Sequence, residues 1–481
     1  MAGQYGTGGV ARGPGRTVRA GAQAMTLGMM LAALGAAPAL AQAAAVPAAV
    51  PDKGDTAWVM VSAVLVMMMT IPGLALFYGG LVRARNVLSV LMQVLAVFSL
   101  MAILWVAFGY SLAFTAPGDG TSALAPFIGG LSKAFLAGVG PGALSETFSA
   151  GVFIPELAYV AFQMAFACIA PALIVGATAE RIRFPALLAF VTLWFVFAYL
   201  PMAHMVWWWG GPSAYAAPSG WLFGHGALDF AGGTVIHINA GVAGLVAARA
   251  VGPRLGYRKE PMAPHNLALT LLGGCMLWVG WFGFNAGSNL EATGAAAMAV
   301  VNTCVAAAAA TLAWTAGEWI TRGHPSLLGG ISGAVAGLVG ITPAAGYVGP
   351  AGAIVIGAVA GLACLWAVVS LKSRMGIDDT LDVFGIHGVG GIVGAILTGV
   401  FAAPSLGGTG VFDYAANAVG SYDMGHQVYV QALGAGVCII WSGVVSWLAI
   451  RLVGAVIGLR PEANAERQGL DLTTHGENAY N

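Results

Sequence analysis

Residues 237–244 read His237-Ile-Asn-Ala-Gly-Val-Ala-Gly244, and residues 387–394 read His387-Gly-Val-Gly-Gly-Ile-Val-Gly394, so both follow the pattern H-x3-G-x2-G. An aspartate precedes each copy, at Asp229 and at Asp382. The second copy lies five apolar segments after the first, and because five is odd the two copies enter a bilayer from opposite sides. This pattern predicts an inverted repeat of spans 1–5 and 6–10, with a substrate path near the midplane where the two halves meet.

The composition is that of a protein built from membrane-spanning helices. Only 8% of the 481 residues are charged and 59% are hydrophobic, whereas a typical soluble domain is about 25% charged. Such a chain has too little charge to cover a soluble surface and too much hydrophobicity for disorder. The 71 glycines suit helices that pack closely in lipid. Because 19 basic residues balance 19 acidic ones, no nucleic-acid-binding surface is indicated.

Eleven apolar segments are long enough to cross the hydrocarbon core of a bilayer. The predicted fold class is therefore an all-α polytopic membrane protein with eleven transmembrane helices, in a membrane domain over residues 57–456. We expect a short external segment at 42–56 before it and a cytoplasmic tail at 457–481 after it. The predicted spans are 57–81, 88–115, 152–177, 184–208, 228–250, 265–289, 293–320, 326–345, 350–371, 380–403 and 427–456.

The first 41 residues have the three parts of a secretory signal peptide. Arg12, Arg16 and Arg19 form a basic region, residues 25–40 are apolar, and Ala39-Leu-Ala41 is a small-x-small cleavage site. The alternative is a first transmembrane helix, but the apolar stretch is short and Pro38 interrupts it. Cleavage would leave the mature N-terminus outside the cytoplasm.

The basic residues sort onto one side of the membrane. Of the 16 Lys and Arg that follow the signal peptide, 14 fall in the loops that a chain beginning outside would place inside, and only Lys53 and Lys133 fall outside. Cytoplasmic loops are enriched in Lys and Arg, and a wrong number of spans would scramble the sorting. The predicted topology therefore has the N-terminus outside and the C-terminus inside.

Two histidines are the ionisable groups placed well inside a span. No Asp, Glu, Lys or Arg falls in the middle of any predicted span, while His237 and His387 lie within spans five and ten. Imidazole in hydrocarbon costs free energy unless it has a partner, so an intramembrane histidine is a functional hypothesis. The two rings could bond each other through one nitrogen each and turn the remaining nitrogens toward a pore. The alternative is that each ring bonds separately to a backbone carbonyl.

Other candidate residues lie near the external ends of spans. Asp229 begins span five, where it is either a purely structural helix cap or a support for a cation site through nearby carbonyls. The run Trp207, Trp208 and Trp209 ends span four, as an interfacial aromatic belt or as a cation–π site for a small cation.

Two aromatic pairs have helical spacing. Phe162 and Phe166 are four residues apart on span three, and Trp281 and Phe284 are three apart on span six. Ser288 follows four residues later on the same helix face. Such pairs are commonly core packing.

The sequence lacks the motifs of several other functions. No lysine follows a glycine, which excludes a phosphate-binding loop, and there is no H-E-x-x-H or G-x-S-x-G motif. All five cysteines fall inside spans, where they suit core packing better than a zinc site or disulfides. We therefore predict no catalytic residues, no metal and no cofactor.

The chain resembles the ammonium transporter family (Amt/Mep/Rh), and its bacterial Amt branch in particular. The resemblance covers nearly all of the chain after the signal peptide, in order, and its motifs are long. They include Phe77-Tyr-Gly-Gly-Leu-Val-Arg83, Ala161-Phe-Gln163, Ala177-Thr-Ala-Glu-Arg181, Ala203-His-Met-Val-Trp207, His225-Gly-Ala-Leu-Asp-Phe-Ala-Gly-Gly233, Gly280-Trp-Phe-Gly-Phe-Asn-Ala-Gly-Ser288 and Asp382-Val-Phe-Gly-Ile-His-Gly388.

The resemblance implies roles for the candidate residues. By motif, an external recruitment site for ammonium would consist of Phe166, Trp207 and Ser288, and Phe166 would stack with Phe284 as a gate below it. His237 and His387 would be the twin histidines of the pore, and Trp281 would line its wall. Asp229 would support the site, with Phe162 beside it. A longer loop between Trp207 and His225 leaves open which of the three tryptophans faces the pore.

The resemblance also implies partners and a location. Family members are homotrimers with one pore in each subunit, in the bacterial inner (cytoplasmic) membrane, and carry ammonium or its analogue methylammonium. The tail from Glu466 to Asn481 is similar to one that couples subunits and docks a cytoplasmic PII-type signalling protein. The alternative for this tail is a flexible solubilising segment.

Three functions follow from these features. The first is a non-enzymatic transporter that recruits ammonium through cation–π contacts, favours its deprotonation and passes ammonia inward beside the histidines. The second is an ammonium sensor that signals through its cytoplasmic surface, although only about 25 residues follow the last predicted span. The third is an intramembrane metalloenzyme, for which two histidines without a third ligand form a poor zinc site.

Overall fold

The computed structural model describes residues 49–118 and 122–480. The predicted signal peptide lies outside the described residues. Eleven apolar helices follow one another in this part of the chain. They are α1 (Lys53–Leu81), α2 (Ala84–Phe114), α3 (Glu156–Thr178), α4 (Phe184–Trp207), α5 (Gly233–Val251), α6 (Leu267–Gly287), α7 (Gly294–Arg322), α8 (Leu327–Ile341), α9 (Pro350–Met375), α10 (Phe384–Phe401) and α11 (Met424–Val456).

Ten of these helices, all except α8, are long and apolar enough to cross a membrane. The helix α8 has 15 residues and ends in a turn. Both ends of each helix lie within five residues of the ends of a segment predicted from the sequence. The prediction of an all-α polytopic membrane protein is therefore confirmed.

The two ends of the helix bundle have different surroundings. At the end where α1 begins, the entrance end, short strands form two antiparallel pairs: Leu144–Glu146 with Phe153–Pro155, and Phe412–Asp413 with Ala418–Val419. Short helical turns also lie in the loops at this end, at Ala134–Leu136, Pro212–Ala214, Trp221–Gly224 and Pro404–Leu406. The opposite end, where α11 finishes, is the tail end.

Several of the long helices contain a π-helical turn. Both predicted pore histidines lie in such turns, because Gly233–Ile238 opens α5 and Phe384–Gly388 opens α10. Further turns of this kind occur at Met69–Leu74, Trp105–Gly109, Phe195–Tyr199 and Ala367–Leu371. Wide turns of this type are frequent at functional sites.

The contact between α5 and α10 is reciprocal, as the inverted repeat predicts. A methyl group on Gly241 would collide with the backbone of Gly388, and a methyl group on Gly391 would press on Ile238. Gly241 is the fourth residue after His237 and lies against Gly388, which directly follows His387. Gly391 is the fourth residue after His387 and lies against Ile238, which directly follows His237. Glycine is needed at both positions because the two backbones approach closely.

The tail end is closed by ion pairs and by the C-terminal segment. Glu180 pairs with Arg83 at 2.6 Å, and Arg254 pairs with Asp378 at 2.9 Å. After α11 the chain forms the helix α12 (Ala463–Gln468) and a π-helical turn at Asp471–His475. The carboxylate of Asp471 accepts hydrogen bonds from the backbone N–H groups of Leu88 and Ser89 at the start of α2, so the tail is packed against the bundle.

Candidate functional site

The paired histidines lie at the crossing of α5 and α10. The Nδ1 atoms of His237 and His387 are 3.2 Å apart, and the ring planes differ by only 23°. Both residues are buried. Since the contact joins two nitrogens of the same kind, one must donate a hydrogen and the other must accept it. The Nε2 atom of His237 has no hydrogen-bond partner among the described residues.

A narrow cavity adjoins the histidine pair. Its volume is about 10 Å³, about the space of one water molecule. Apart from the two imidazoles, its walls are apolar or aromatic. They comprise Met69, Leu74, Phe77, Ile169, Leu173, Ile236, Leu277, Trp281, Phe284 and Val335. A full charge would be poorly solvated in such a space.

Aromatic rings connect this cavity to the entrance end. The ring of Phe284 lies 5.9 Å from that of His237 and 4.4 Å from that of Phe166. The ring of Phe166 in turn is 6.1 Å from Trp207, at an angle of 84°. The structure therefore brings Trp207, Phe166, Phe284 and His237 into one continuous series, in which the two phenylalanines separate the entrance from the histidines.

Trp281 and Phe162 support this series from the side. Trp281 stacks 5.4 Å from His237, and its indole N–H donates to the hydroxyl of Thr342 at 2.9 Å. Phe162 is fully buried and packs against Phe166 with the ring centroids 4.8 Å apart. Thr342 was not a candidate from the sequence, because nothing in the local pattern shows that the turn after α8 reaches α6.

A larger cavity, the entrance cavity, opens above the phenylalanines. Its volume is about 640 Å³, and its lining includes Phe166, all three tryptophans of residues 207–209, Asp229 and Ser288. Trp207 is the tryptophan beside Phe166, whereas Trp208 stacks on His204 and Trp209 stacks on Phe223.

Ser288 presents an oxygen to the entrance cavity. Its hydroxyl donates to the carbonyl of Phe284 at 2.8 Å, so the lone pairs of the hydroxyl oxygen can accept a further hydrogen. The indole N–H of Trp207 donates to the carbonyl of Asp229 at 2.9 Å, which fixes the indole at the cavity wall. Aromatic faces and a free acceptor oxygen are groups that attract a small cation.

The side chain of Asp229 contacts the backbone at the start of α5. Its buried carboxylate accepts hydrogen bonds from four consecutive N–H groups, those of residues 232–235, at 2.6–3.0 Å. These groups begin the π-helical turn that carries His237. The carboxylate therefore holds the start of α5, as expected for a helix cap.

The sequence pairs Asp229 with Asp382, but in the structure the residue that corresponds to Asp229 is Asp379. Asp382 pairs with Lys372 at 2.7 Å, and the residue that caps the turn of His387 is Asp379. The carboxylate of Asp379 accepts from the N–H groups of Val383 and Phe384 at 3.1 and 2.8 Å. Asp379 precedes His387 by eight residues, as Asp229 precedes His237, so the spacing in the sequence contained the correct pairing.

Loops around the entrance cavity are joined by a second carboxylate, which the sequence reasoning missed. Glu146 accepts hydrogen bonds from the N–H groups of Gly151 and Ser213 and from the hydroxyl of Ser213. Burial acts to raise the pKa of Glu146, but these hydrogen bonds outweigh burial and hold the pKa below its usual value of 4.5. Only a contact between distant loops produces this site, and local sequence carries no signal of it.

These features define a class of protein: a helical membrane protein with an aromatic-lined cavity at one end, two contacting phenylalanine rings below it, and a narrow apolar cavity beside buried histidines. A sequence model of the Ammonium Transporter Family matches residues 57–480. The chain therefore belongs to the Ammonium Transporter Family, and the resemblance seen in the sequence is confirmed.

Curated relatives agree with this assignment. The chain is 46% identical to an ammonium transporter of Bacillus subtilis over 436 residues, which cover 89% of this chain and 99% of the relative. It is 44% identical to an ammonium transporter of Aquifex aeolicus over 431 residues, covering 89% and 94%.

Solved structures share the fold. A crystal structure of Saccharomyces cerevisiae Mep2 matches with a TM-score of 0.74 and 34% identity, over 86% of this chain and 88% of that chain. A structure titled Sensor Amt Protein matches with a TM-score of 0.77 and 28% identity, over 88% of this chain and 98% of that chain. The chain is thus similar to both transporters and a sensor.

Proposed function

We propose that this protein moves ammonium or ammonia inward across the bacterial inner membrane through the passage beside His237 and His387. The observation that carries the proposal is the continuous series of rings from Trp207 through Phe166 and Phe284 to His237. Membership of the ammonium transporter family supports the substrate. Methylammonium, which has the same charged head, serves as its analogue.

Recruitment takes place in the entrance cavity. An ammonium ion there meets the faces of Phe166 and Trp207 and the oxygen of Ser288, all of which line the cavity. The rings replace part of its hydration shell through cation–π attraction, which strengthens as water is excluded. Anions are repelled by the ring faces, and neutral solutes gain no such attraction.

The passage beyond Phe166 and Phe284 favours ammonia over the ammonium ion. Phe166 and Phe284 are in contact and must separate for the substrate to pass. The cavity below them is about 10 Å³, enough for one ammonia molecule without its water shell. Because a bare cation is costly in these apolar walls, deprotonation accompanies entry.

The histidine pair supplies the polar groups of the passage. The Nδ1–Nδ1 contact holds the two rings together, and each Nε2 remains for the substrate or its proton. A bare imidazole nitrogen can take up a proton and pass it on, so the pair can accept or relay the proton that ammonium releases.

We further propose the assembly and topology that the family resemblance implies. Three copies form a homotrimer with one passage each, the entrance end faces outward, and residues 1–41 are removed as a signal peptide. The tail end, with the packed segment from Ala463 to His475, faces the cytoplasm and offers a surface for a PII-type signalling protein.

Electrophysiology on reconstituted protein with an ammonium pulse, together with methylammonium uptake, tests this function. We expect saturable uptake that excludes potassium, and the current shows whether the proton accompanies ammonia. Uptake no greater than that of protein-free liposomes would contradict the transport proposal.

An ammonium sensor is the second candidate function. It is supported by the fold match to the structure titled Sensor Amt Protein. A sensor would bind ammonium in the entrance cavity and alter the tail end while producing little flux. Ammonium binding without uptake or current, in protein shown to be folded, would favour this alternative.

A further inference from the structure

A lysine ammonium group already occupies part of the entrance cavity. Lys133 Nζ forms an ion pair with Glu156 Oε1 and lies 5.8 Å from the centre of the Tyr110 ring. All three residues line the entrance cavity together with Phe166 and Trp207. The hydroxyl of Tyr110 donates to the same carboxylate oxygen at 2.6 Å.

The loop that carries Lys133 is fixed in place. The N–H of Lys133 donates to the hydroxyl of Ser111 at 2.9 Å, and that hydroxyl donates to the carbonyl of Gly130 at 2.8 Å. The N–H of Gly129 donates to the carbonyl of Leu112 at 2.7 Å. A methyl group on Gly129 would collide with backbone carbonyls at the end of α2, so glycine permits this close approach. The position of the lysine is therefore built into the fold.

Glu156, the partner of Lys133, is the first of four residues on α3 that lead to Phe166. Glu156, Tyr159, Gln163 and Phe166 occur at spacings of three and four residues on α3, which places them on one face. All four line the entrance cavity, and the amide of Gln163 lies 3.4 Å from the Tyr159 hydroxyl. Ten residues of helix separate Glu156 from Phe166, which corresponds to about 15 Å.

We propose that Glu156 and Tyr110 form an outer binding subsite for ammonium and small primary alkylammonium ions, and that Lys133 occupies it as a tethered ammonium group. The chemistry of this subsite is that of an ammonium receptor: a carboxylate oxygen, a phenol and an aromatic face. The ligand that it holds in this structure is itself a primary ammonium group. Lys133 thereby lowers the affinity of the entrance for external substrate. The inference rests on the proposed transport function.

Charge explains why the lysine affects affinity. The side chain of Glu156 is 8% exposed, whereas that of Lys133 is 35% exposed, so the lysine can leave while the carboxylate stays. Without the lysine, the carboxylate is an unbalanced negative charge above the gate and concentrates cations there. Without the carboxylate, the lysine is an unbalanced positive charge that repels them.

Methylammonium uptake by reconstituted full-length protein tests the proposal. We expect Lys133→Met to lower the apparent KM by about two- to fivefold, the range for a partly exposed ion pair. We expect Glu156→Gln to raise the apparent KM, and the double variant to return close to the starting value. The changes in apparent KM of both single variants should become smaller in high salt, because screening weakens interactions between partly exposed charges.

Lys53→Met is the matched control. Lys53 is an exposed residue at the start of α1, at the same end of the bundle, and does not line the entrance cavity. Its replacement removes the same charge from the same face and should leave the apparent KM unchanged. Equal shifts for Lys133→Met and Lys53→Met, or no shift for either, would overturn the proposal.

Chemical rescue provides a second measurement on a single folded protein. Lys133→Cys treated with 2-aminoethyl methanethiosulfonate regains a tethered ammonium group, and we expect the higher apparent KM to return. Treatment with methyl methanethiosulfonate adds no charge and should leave the KM low, while the unsubstituted protein treated in parallel controls for native cysteines. Equal KM values after both reagents would contradict the subsite, whereas absence of uptake by the unsubstituted protein would contradict the transport function itself.

Discussion

His237 and His387 meet through like atoms, since the Nδ1 nitrogen of each ring lies 3.2 Å from that of the other. Such a contact is attractive only when one nitrogen carries a hydrogen and the other does not. Two neutral rings therefore hold different tautomers: the ring that donates from Nδ1 has no hydrogen on Nε2, and the ring that accepts at Nδ1 carries its hydrogen on Nε2. Each ring depends on the other for its tautomer and its orientation.

Replacement of either histidine by alanine tests this dependence. We expect His237→Ala and His387→Ala each to abolish methylammonium uptake or to admit potassium, because the remaining imidazole loses its buried partner. Uptake and potassium current in proteoliposomes measure the two outcomes. His426→Ala is the control, since His426 is exposed at the start of α11. Unchanged uptake and selectivity in both pore variants would contradict the role of the pair.

Some of this architecture could be predicted from the sequence, for physical reasons. Long apolar segments and the sorting of basic residues depend on composition along the chain, so the helices lie close to their predicted positions. The repeated H-x3-G-x2-G pattern predicts an inverted repeat, and its glycines Gly241 and Gly391 lie where α5 and α10 approach closely. By contrast, Glu146 and Lys133 acquire their roles from loops that meet only in the folded chain.

The pairing of Asp382 with Asp229 is a part of the repeat that was not predicted correctly from the sequence. Three acidic residues, Asp378, Asp379 and Asp382, precede His387, and the sequence pattern pairs Asp382 with Asp229 because Asp382 lies nearest to the repeated motif. The π-helical turn moves the start of α10, so the residue whose carboxylate reaches the free N–H groups is Asp379. Spacing from the histidine predicts the cap correctly, whereas proximity to the apolar segment does not.

The two helix caps should therefore be sensitive to loss of charge. We expect Asp229→Asn and Asp379→Asn each to destabilise the protein by about 1–3 kcal/mol, because an amide offers one acceptor oxygen where the carboxylate offered two. Thermal denaturation of the purified protein in detergent measures the effect. Asp382→Asn is the matched control, and a loss of stability in this variant equal to that in Asp379→Asn would contradict the revised pairing.

The contact between Phe166 and Phe284 should control selectivity. We expect Phe284→Ala to lower the discrimination between ammonium and potassium by roughly tenfold, because it removes the ring that separates the entrance cavity from the passage. Currents carried by the two ions in reconstituted protein provide the measurement. Phe190→Ala controls for general loss of packing, since Phe190 is fully buried in α4 and lines neither cavity. Equal selectivity in the two variants would count against the gate.

The loops of the entrance should loosen in acid through Glu146. The pKa of this carboxyl is lower in the folded protein than its usual value of 4.5, so its contribution to stability is complete above pH 4.5 and is lost as the pH falls through the folded pKa. We expect amide hydrogen exchange at Gly151 and Ser213, after correction for its intrinsic pH dependence, to accelerate in that range. Glu146→Gln should remove the additional pH dependence. The same acid response in this variant would show that another group is responsible.

The C-terminal tail should be released when Glu466 is replaced. The carboxylate of Glu466 is buried, pairs with Arg460 at 2.7 Å and accepts a hydrogen bond from the N–H of Leu255 at 2.8 Å. Glu466→Ala leaves the guanidinium and the N–H without this partner, so the tail loses one of the contacts that hold it against the bundle. We expect the tail to become sensitive to limited proteolysis, with cleavage after Arg467 as the readout.

Glu462→Ala provides the control for this experiment. Glu462 is exposed, and its side chain makes no capping hydrogen bond at the start of α12. Its loss removes a charge four residues away without removing a buried contact, so cleavage should stay slow. If both variants are cut at the same rate as the unsubstituted chain, the ion pair does not hold the tail. If a PII-type protein binds the tail end, we expect Glu466→Ala to weaken its binding more than Glu462→Ala does, because only the former disturbs the packed segment.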